Sequence, residues 1–299
     1  MNPLEVAGLC KRYGRVEAVR DVSFTVGAGE VFGYLGPNGA GKTTTLRILV
    51  GLVRADRGAA RLLGGSASLA SSRERIGYLP GELALEGDMT GWAVLEHFAR
   101  FRPSRPPVLR DRLVDSLALC GEDLVRRVKT LSHGTRQKVG LVAAMQHDPD
   151  LLLLDEPSTG LDPLVQAALR AHLAERAAAG RTVLFSSHVL SEVEAVCARV
   201  GILSGGRLLA VEEVSRLRAR VPRRMRVRLR GGAPGELASV PGVTAVRLRG
   251  AEAELTIEGD VNALLRRLAQ LDVEELVFPE AQLEDIFLSY FRERPDARP

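Results

Sequence analysis

Eight consecutive residues, Gly36-Pro37-Asn38-Gly39-Ala40-Gly41-Lys42-Thr43, with Thr44 behind them, carry the first chemical signal in the chain. Glycines let backbone N–H groups converge on phosphate oxygens where a side chain would obstruct. Lys42 adds a mobile positive charge, and the Thr43 hydroxyl is a suitable ligand for Mg²⁺. The pattern means something only between a strand and a helix, because the helix start adds its own positive end. Glu30-Val31-Phe32-Gly33-Tyr34-Leu35 supplies the strand pattern and Thr45–Val50 the helical one. This reads as a P-loop that holds a nucleotide phosphate.

Two further stretches add chemistry. Leu151–Leu154 is wholly apolar and runs into Asp155-Glu156. Carboxylates at the end of a buried strand are costly unless a cation neutralises them. Asp155 therefore fits a place beside Mg²⁺, and Glu156, pointing elsewhere, fits the polarisation of a water for attack on a γ-phosphate. Upstream, Leu131-Ser132-His133-Gly134-Thr135-Arg136-Gln137-Lys138 precedes a helical pattern over Val139–Gln146. Ser132 reads as an N-cap, and Gly134 leaves first-turn backbone exposed, which makes a second anion site.

The elements that must position these residues follow from periodicity. Leu4–Leu9, Val16–Val19 and Val22–Val26 read as short strands, as do Ala59–Leu63 and Ile76–Leu79. Gly81 to about Gln146 is helical in pattern: Trp92, Leu95, Phe98 and Ala99 share one face, Leu113, Leu117 and Cys120 another, and Pro103–Pro107 separates them. From Asp150 the texture alternates: strand Leu151–Leu154, helix Pro163–Ala178, strand Thr182–Phe185, helix Ser191–Ala198, then strands Val200–Leu203 and Arg207–Ala210. A fully apolar strand implies a largely parallel sheet with helices on both faces. Beyond Arg220, Arg224–Arg230 alternates strictly between arginine and apolar residues, a strand with one solvated face. Strands Val243–Leu248 and Ala253–Ile257, helix Val261–Leu271, strand Glu274–Phe278 and helix Leu283–Phe291 complete a β-(short α)-β-β-α-β order, that of a small ferredoxin-like α+β domain.

Composition narrows the class. The chain has 299 residues, 45% hydrophobic, with a net charge of +4. That is room for a large and a small domain and only a mild bias toward anionic partners. Cys10, Cys120 and Cys197 have no CxxC spacing and read as buried apolar residues of a reducing compartment. Met1-Asn2-Pro3-Leu4-Glu5 lacks a signal-peptide pattern, and no apolar run nears the ~20 residues of a spanning helix. The expectation is a protein soluble in itself, reaching a membrane through a partner.

Taken together, these motifs resemble the ATP-binding subunits of ABC transporters, of the antibiotic- and multidrug-exporter-like type, from about Leu4 to Arg218. Gly36–Thr43 matches the Walker A loop, Leu131–Thr135 the signature loop, and Leu151–Glu156 Walker B with its catalytic glutamate. Ser158-Thr159-Gly160-Leu161-Asp162 is similar to the D-loop, His188 to the switch histidine that contacts γ-phosphate, and Tyr13 to the aromatic that stacks on adenine. The resemblance implies an α/β P-loop ATPase domain over 1–219, with a mixed core sheet, an antiparallel β subdomain and a helical subdomain at about 82–146. An accessory domain follows at 220–299. ATP and Mg²⁺ are the implied cofactors, with Thr43 and Asp155 as metal ligands. Partners would be a second ATP-binding subunit in a homodimer and a separately encoded membrane permease. The subunit would lie peripherally on the cytoplasmic face, and no nucleic acid is expected.

The pattern departs from the family at two places. His133 replaces the first glycine of Leu-Ser-Gly-Gly-Gln and Thr135 its glutamine, while Ser132 and Gly134 remain. In Tyr78-Leu79-Pro80-Gly81-Glu82, Gly81 stands where the family has a glutamine that reaches Mg²⁺, leaving Glu82 as a substitute ligand. The rival reading is a soluble ABC-type ATPase acting on nucleic acid or ribosomes, which usually carries two cassettes in one chain. A small-molecule kinase fails on the signature helix and His188.

Overall fold

Apolar alternation between short turns builds the first layer. The computed structural model describes residues 2–66, 74–220, 223–231 and 234–279. Strands β1 (Leu4–Tyr13) and β2 (Val16–Val26) pair antiparallel, and β2 is one strand, not two. The polar Arg20-Asp21 step is a bulge: Asp21 takes a φ of +53°, its N–H donates to Cys10 Sγ, and the pairing resumes at Val22. After β3 (Val31–Leu35) and α1 (Lys42–Leu49), β4 (Arg57–Leu62) and β5 (Gly65–Ser66) complete a sheet in the order β2-β1-β4-β5.

The second sheet carries the chemistry. It begins with β6 (Ile76–Leu79). The chain then forms α2 (Gly91–Arg100), α3 (Arg110–Ser116), α4 (Gly121–Val125) and α5 (His133–Met145). Next come β7 (Leu151–Asp155), α6 (Pro163–Ala178), β8 (Thr182–Ser187), α7 (Leu190–Val196), β9 (Arg199–Ser204) and β10 (Arg207–Glu213). The order is β10-β9-β3-β8-β7-β6, parallel throughout except for the β9–β10 pair. Strands β3, β7 and β8 are buried along their whole length, as their unbroken apolar runs require.

Several local expectations change. Of the expected face of α2, Leu95 is buried and Phe98 and Ala99 are half-buried, but Trp92 is exposed, and Gly91 and Val94 are buried beside Leu95. α3 stops at Ser116; the chain turns at Ala118, φ +48°, and buries Leu117 and Leu119 while Cys120 is exposed. Cys10 is half-buried, so only Cys197 is a buried core thiol. α5 starts six residues before Val139, because Ser132 Oγ accepts the Thr135 N–H at 3.1 Å and caps the helix at His133. Its first turn carries no apolar residue, so periodicity cannot see it.

The chain divides into two compact units, one ending at Val214 and one beginning at Ser215, within α8 (Val214–Arg220). In the second unit, β11 (Arg223–Leu229), a 3₁₀ turn at Pro234–Ser239, β12 (Val243–Arg249), β13 (Glu252–Ile257), α9 (Asn262–Leu268) and β14 (Val273–Val277) form an antiparallel sheet ordered β12-β13-β11-β14. That is the ferredoxin-like order, with the 3₁₀ turn in place of the first helix. Met225, Val227 and Leu229 enter its core, and on the other face Arg228 and Arg224 meet Glu252 and Glu254 at 3.5 and 3.9 Å. The expected helix Leu283–Phe291 lies outside the described residues.

Where β7 begins, Asp150 accepts from Arg75 Nε at 2.6 Å and Arg105 Nη2 at 2.8 Å, and Arg181 joins it to Asp148. His147, 3% exposed beside this cluster, has its pKa pushed from 6.5 down to about 4 by burial first and by the Arg102 charge second. A histidine whose folded pKa lies below its unfolded one takes up its proton on unfolding, so stability is held above pH 6.5 and lost as pH falls toward 4. The loss expected from His147 is about 3 kcal/mol. In His147→Leu the pH dependence of denaturant-unfolding free energy between 6.5 and 4 should flatten by about that amount; an unchanged slope would refute the assignment.

Candidate functional site

The loop between β3 and α1 is set by its backbone. Gly36 N–H donates to Ser187 O of the neighbouring β8 at 3.3 Å, and Ala40 N–H closes a turn onto Pro37 O at 3.1 Å. Gly41 precedes α1 with a φ of +100°, and a Cβ there would lie 2.3 Å from Ala18 O of β2. Only glycine meets both conditions. Asn38 and Gly39 are exposed at the loop tip, while Ala40 is buried and its carbonyl accepts the Gly206 N–H at 3.2 Å. Behind the loop, Tyr34 OH donates to Thr45 Oγ at 3.2 Å, and burial raises the phenol pKa. Thr43 and Thr44 lie half-buried on the first turn of α1, and neither hydroxyl bonds to a described residue.

Lys42 is 5% exposed, so its charge must be met inside the protein. Its Nζ donates to Gly36 O at 2.5 Å and Pro37 O at 3.3 Å, and pairs with Glu156 Oε1 at 3.2 Å. The other Glu156 oxygen meets His188 Nδ1 at 2.8 Å, just past the end of β8. A continuous polar run therefore joins Lys42, Glu156 and His188. Asp155 is fully buried next to it; Oδ1 accepts the Ser186 hydroxyl at 2.6 Å and Oδ2 has no partner. Its charge also reaches Tyr78, whose phenol is raised by burial first and by Asp155 second.

Glu156 and Asp155 diverge because Glu156 adopts φ +49°. A left-handed conformation costs a non-glycine residue about 1–2 kcal/mol and persists only where neighbours hold it. Glu156 N–H is bound by both Ser186 O at 3.2 Å and Ser186 Oγ at 3.1 Å. From the other side, the buried Gln137 of α5 donates Nε2 to Glu156 O at 3.4 Å and Pro157 O at 3.2 Å. Sequence reasoning missed both Ser186 and Gln137. Their signals are a serine closing an apolar strand and a glutamine on the buried side of a helix.

The loop Leu131–Thr135 gathers elsewhere. Leu131 is buried, Ser132 Oγ lies 2.8 Å from Thr135 Oγ1, and no hydrogen bond or ion pair joins these residues to Lys42 or Glu156. Its contact is with Gly160: a Cβ on Gly134 would lie 2.5 Å from Gly160 O, and one on Gly160 would meet the His133 ring at 2.5 Å. Asp162 then caps α6, accepting from Val165 at 3.0 Å and Leu164 at 3.1 Å, and the first of these most lowers its pKa. Tyr13 is 47% exposed at the β1–β2 turn, with Lys11 Nζ 5.5 Å from its ring centre. Gly81 abuts Asp155, since a Cβ there would lie 3.0 Å from Oδ2, while Glu82 is exposed and makes no hydrogen bond or ion pair with described residues.

A parallel sheet with a glycine loop running from β3 into a lysine-led helix, and carboxylates at the end of a nearby strand, defines a P-loop NTPase. Comparison places it more narrowly. A family profile described as "ABC transporter" matches residues 19–159. An uncharacterized ABC transporter ATP-binding protein of Nostoc is 41% identical over 65% of this chain, which spans 59% of that relative's length. Another from Synechocystis is 33% identical over 94% of this chain and 80% of the relative. The linearmycin resistance ATP-binding protein LnrL of Bacillus subtilis is 32% identical over 70% of this chain and 68% of its own. A solved ATP-binding subunit of an ABC transporter superposes with a TM-score of 0.65 at 31% identity, over 72% of this chain and 91% of that one. The chain belongs to the ATP-binding proteins of ABC transporters and carries their ATPase domain. Among the described residues no helix is long and apolar enough to cross a membrane.

The Gly134–Gly160 approach is testable as packing. Gly134→Ala must displace a backbone oxygen, so calorimetry should show a loss of about 1–3 kcal/mol at the melting temperature. An unchanged melting temperature would contradict the close approach.

Proposed function

We propose that this chain is the ATP-hydrolysing subunit of an exporter, working as a head-to-tail pair of cassettes beneath a separate membrane permease at the cytoplasmic face. The run from Lys42 through Glu156 to His188 is the observation that carries the hydrolytic part of this reading. Lys42 and the N–H groups from Gly41 to Thr44, at the start of α1, bind the β- and γ-phosphates, and Tyr13 offers an exposed ring to adenine. Phosphate competes with Glu156 for the Lys42 charge. Glu156 acts as general base toward the attacking water, with His188 fixing its carboxylate.

The residues present fit Mg²⁺. Asp155 Oδ2 is a buried carboxylate oxygen without a donor, a condition that a cation relieves. Mg²⁺ needs only one or two protein oxygens beside phosphate and water, and Thr43 and Asp155 supply them. Bound there, the ion neutralises charge on the phosphates. Gly81 brings no side chain, and Glu82 would have to turn inward to contribute.

In the pair, Ser132 and Gly134 of one cassette, within the loop Leu131–Thr135, complete the ATP site of the other. The resistance function in the name of one relative supports export over import. The unit beyond about residue 220 is an accessory domain that aids assembly. Truncation after Arg220 should weaken dimerisation and leave ATP binding intact; no change in assembly or turnover would count against that role.

Glu156→Gln should lower turnover by roughly 10²-fold or more and accumulate an ATP-bound dimer. Size-exclusion chromatography with ATP and a phosphate-release assay check both, and an unchanged hydrolysis rate would remove Glu156 as the base.

A further inference from the structure

Glu156 does not hold its conformation by itself. Its φ of +49° is in the left-handed region, and the strand that delivers it ends one residue earlier, at Asp155. Two clamps act on its backbone. Ser186 of β8 receives the N–H. On the carbonyl side, the clamp comes from α5, a segment remote in sequence, through Gln137 Nε2, which reaches the carbonyls of Glu156 and Pro157 at 3.4 and 3.2 Å.

Gln137 is 2% exposed, and α5 otherwise buries Val139, Gly140, Leu141, Val142, Ala143, Ala144 and Met145 on its way to the sheet. A primary amide in such surroundings is costly unless its donors are used, and here they are used on the two carbonyls that follow the left-handed turn. An apolar side chain of the same size would pack as well and leave those carbonyls without donors. Burial alone therefore does not account for a glutamine at this position, whereas fixing the peptide that aims the Glu156 carboxylate between Lys42 and His188 does.

We infer that Gln137 is a positioning residue for hydrolysis, holding the Glu156 backbone so that its carboxylate points at the reacting water. The inference rests on the reading of Glu156 as the base. Gln137 does not touch the phosphates, so it should affect the chemical step and not nucleotide binding. The competing role is support of the loop Ser132–Gly134, which begins the same helix; losing that would weaken the ATP-driven pairing itself.

The full chain separates these outcomes. Gln137→Met keeps volume and removes both donors; Gln137→Leu removes them with a more compact apolar side chain and serves if the Met variant fails to fold. Either should lower kcat roughly tenfold or more, since small displacements of a reacting group are costly, with KM for ATP within about twofold. Combined with Glu156→Gln, Gln137→Met should leave the ATP-bound dimer as abundant as in Glu156→Gln alone. An unchanged kcat, or loss of that dimer together with a raised KM, would overturn the proposal. Normal hydrolysis by Glu156→Gln would instead fail the assignment of the base, which distinguishes the two.

Discussion

A lysine that is 5% exposed dictates the geometry around it. A buried ammonium must be surrounded by acceptors or a counter-charge, and Lys42 has two loop carbonyls and Glu156. That requirement fixes the loop, because Gly36 and Pro37 must turn their carbonyls toward the helix start. The counter-charge arrives from the end of β7, two strands away from β3, at a spacing set by the β8 ladder between them. Strand β8 lies between them in the sheet and supplies Ser186, Ser187 and His188 to the same region. The parallel order β3-β8-β7 thus brings the C-terminal ends of three strands, and their polar residues, to one edge.

The consecutive carboxylates of β7 are separated by a backbone event. Asp155 keeps strand geometry, stays fully buried and accepts from Ser186, whereas Glu156 leaves the strand in a left-handed conformation. Neighbouring residues therefore face different surroundings, one suited to a cation and the other to a proton. Local strain at Glu156 is offset by hydrogen bonds from two elements distant in sequence, β8 and α5. The same helix α5 presses its first turn against Gly160, four residues beyond Glu156. Its two contacts bracket the segment from Glu156 to Gly160.

Much of this architecture could be read from residue types. The phosphate loop, the apolar strand ending in Asp155-Glu156, the helix Pro163–Ala178 and the ferredoxin-like order of the second unit follow from glycine placement, strand and helix periods and capping residues, which act locally. Periodicity failed where tertiary contacts override it. A polar bulge at Arg20-Asp21 continues a strand, the capped first turn of α5 lacks apolar residues, and Trp92 faces solvent while Gly91 packs inward against Leu124.

By itself the sequence determined which side chains could meet phosphate and where strand gives way to helix, because those depend on neighbours a few residues apart. The meeting of Lys42, Glu156 and His188 was decided by the order of strands in the sheet, which no short stretch specifies. The same holds for the orphan oxygen of Asp155, the close approach of Gly81 to that oxygen, and the two clamps on Glu156. Each pairs groups far apart along the chain, and their energetics appear only when burial removes the water that would otherwise satisfy them.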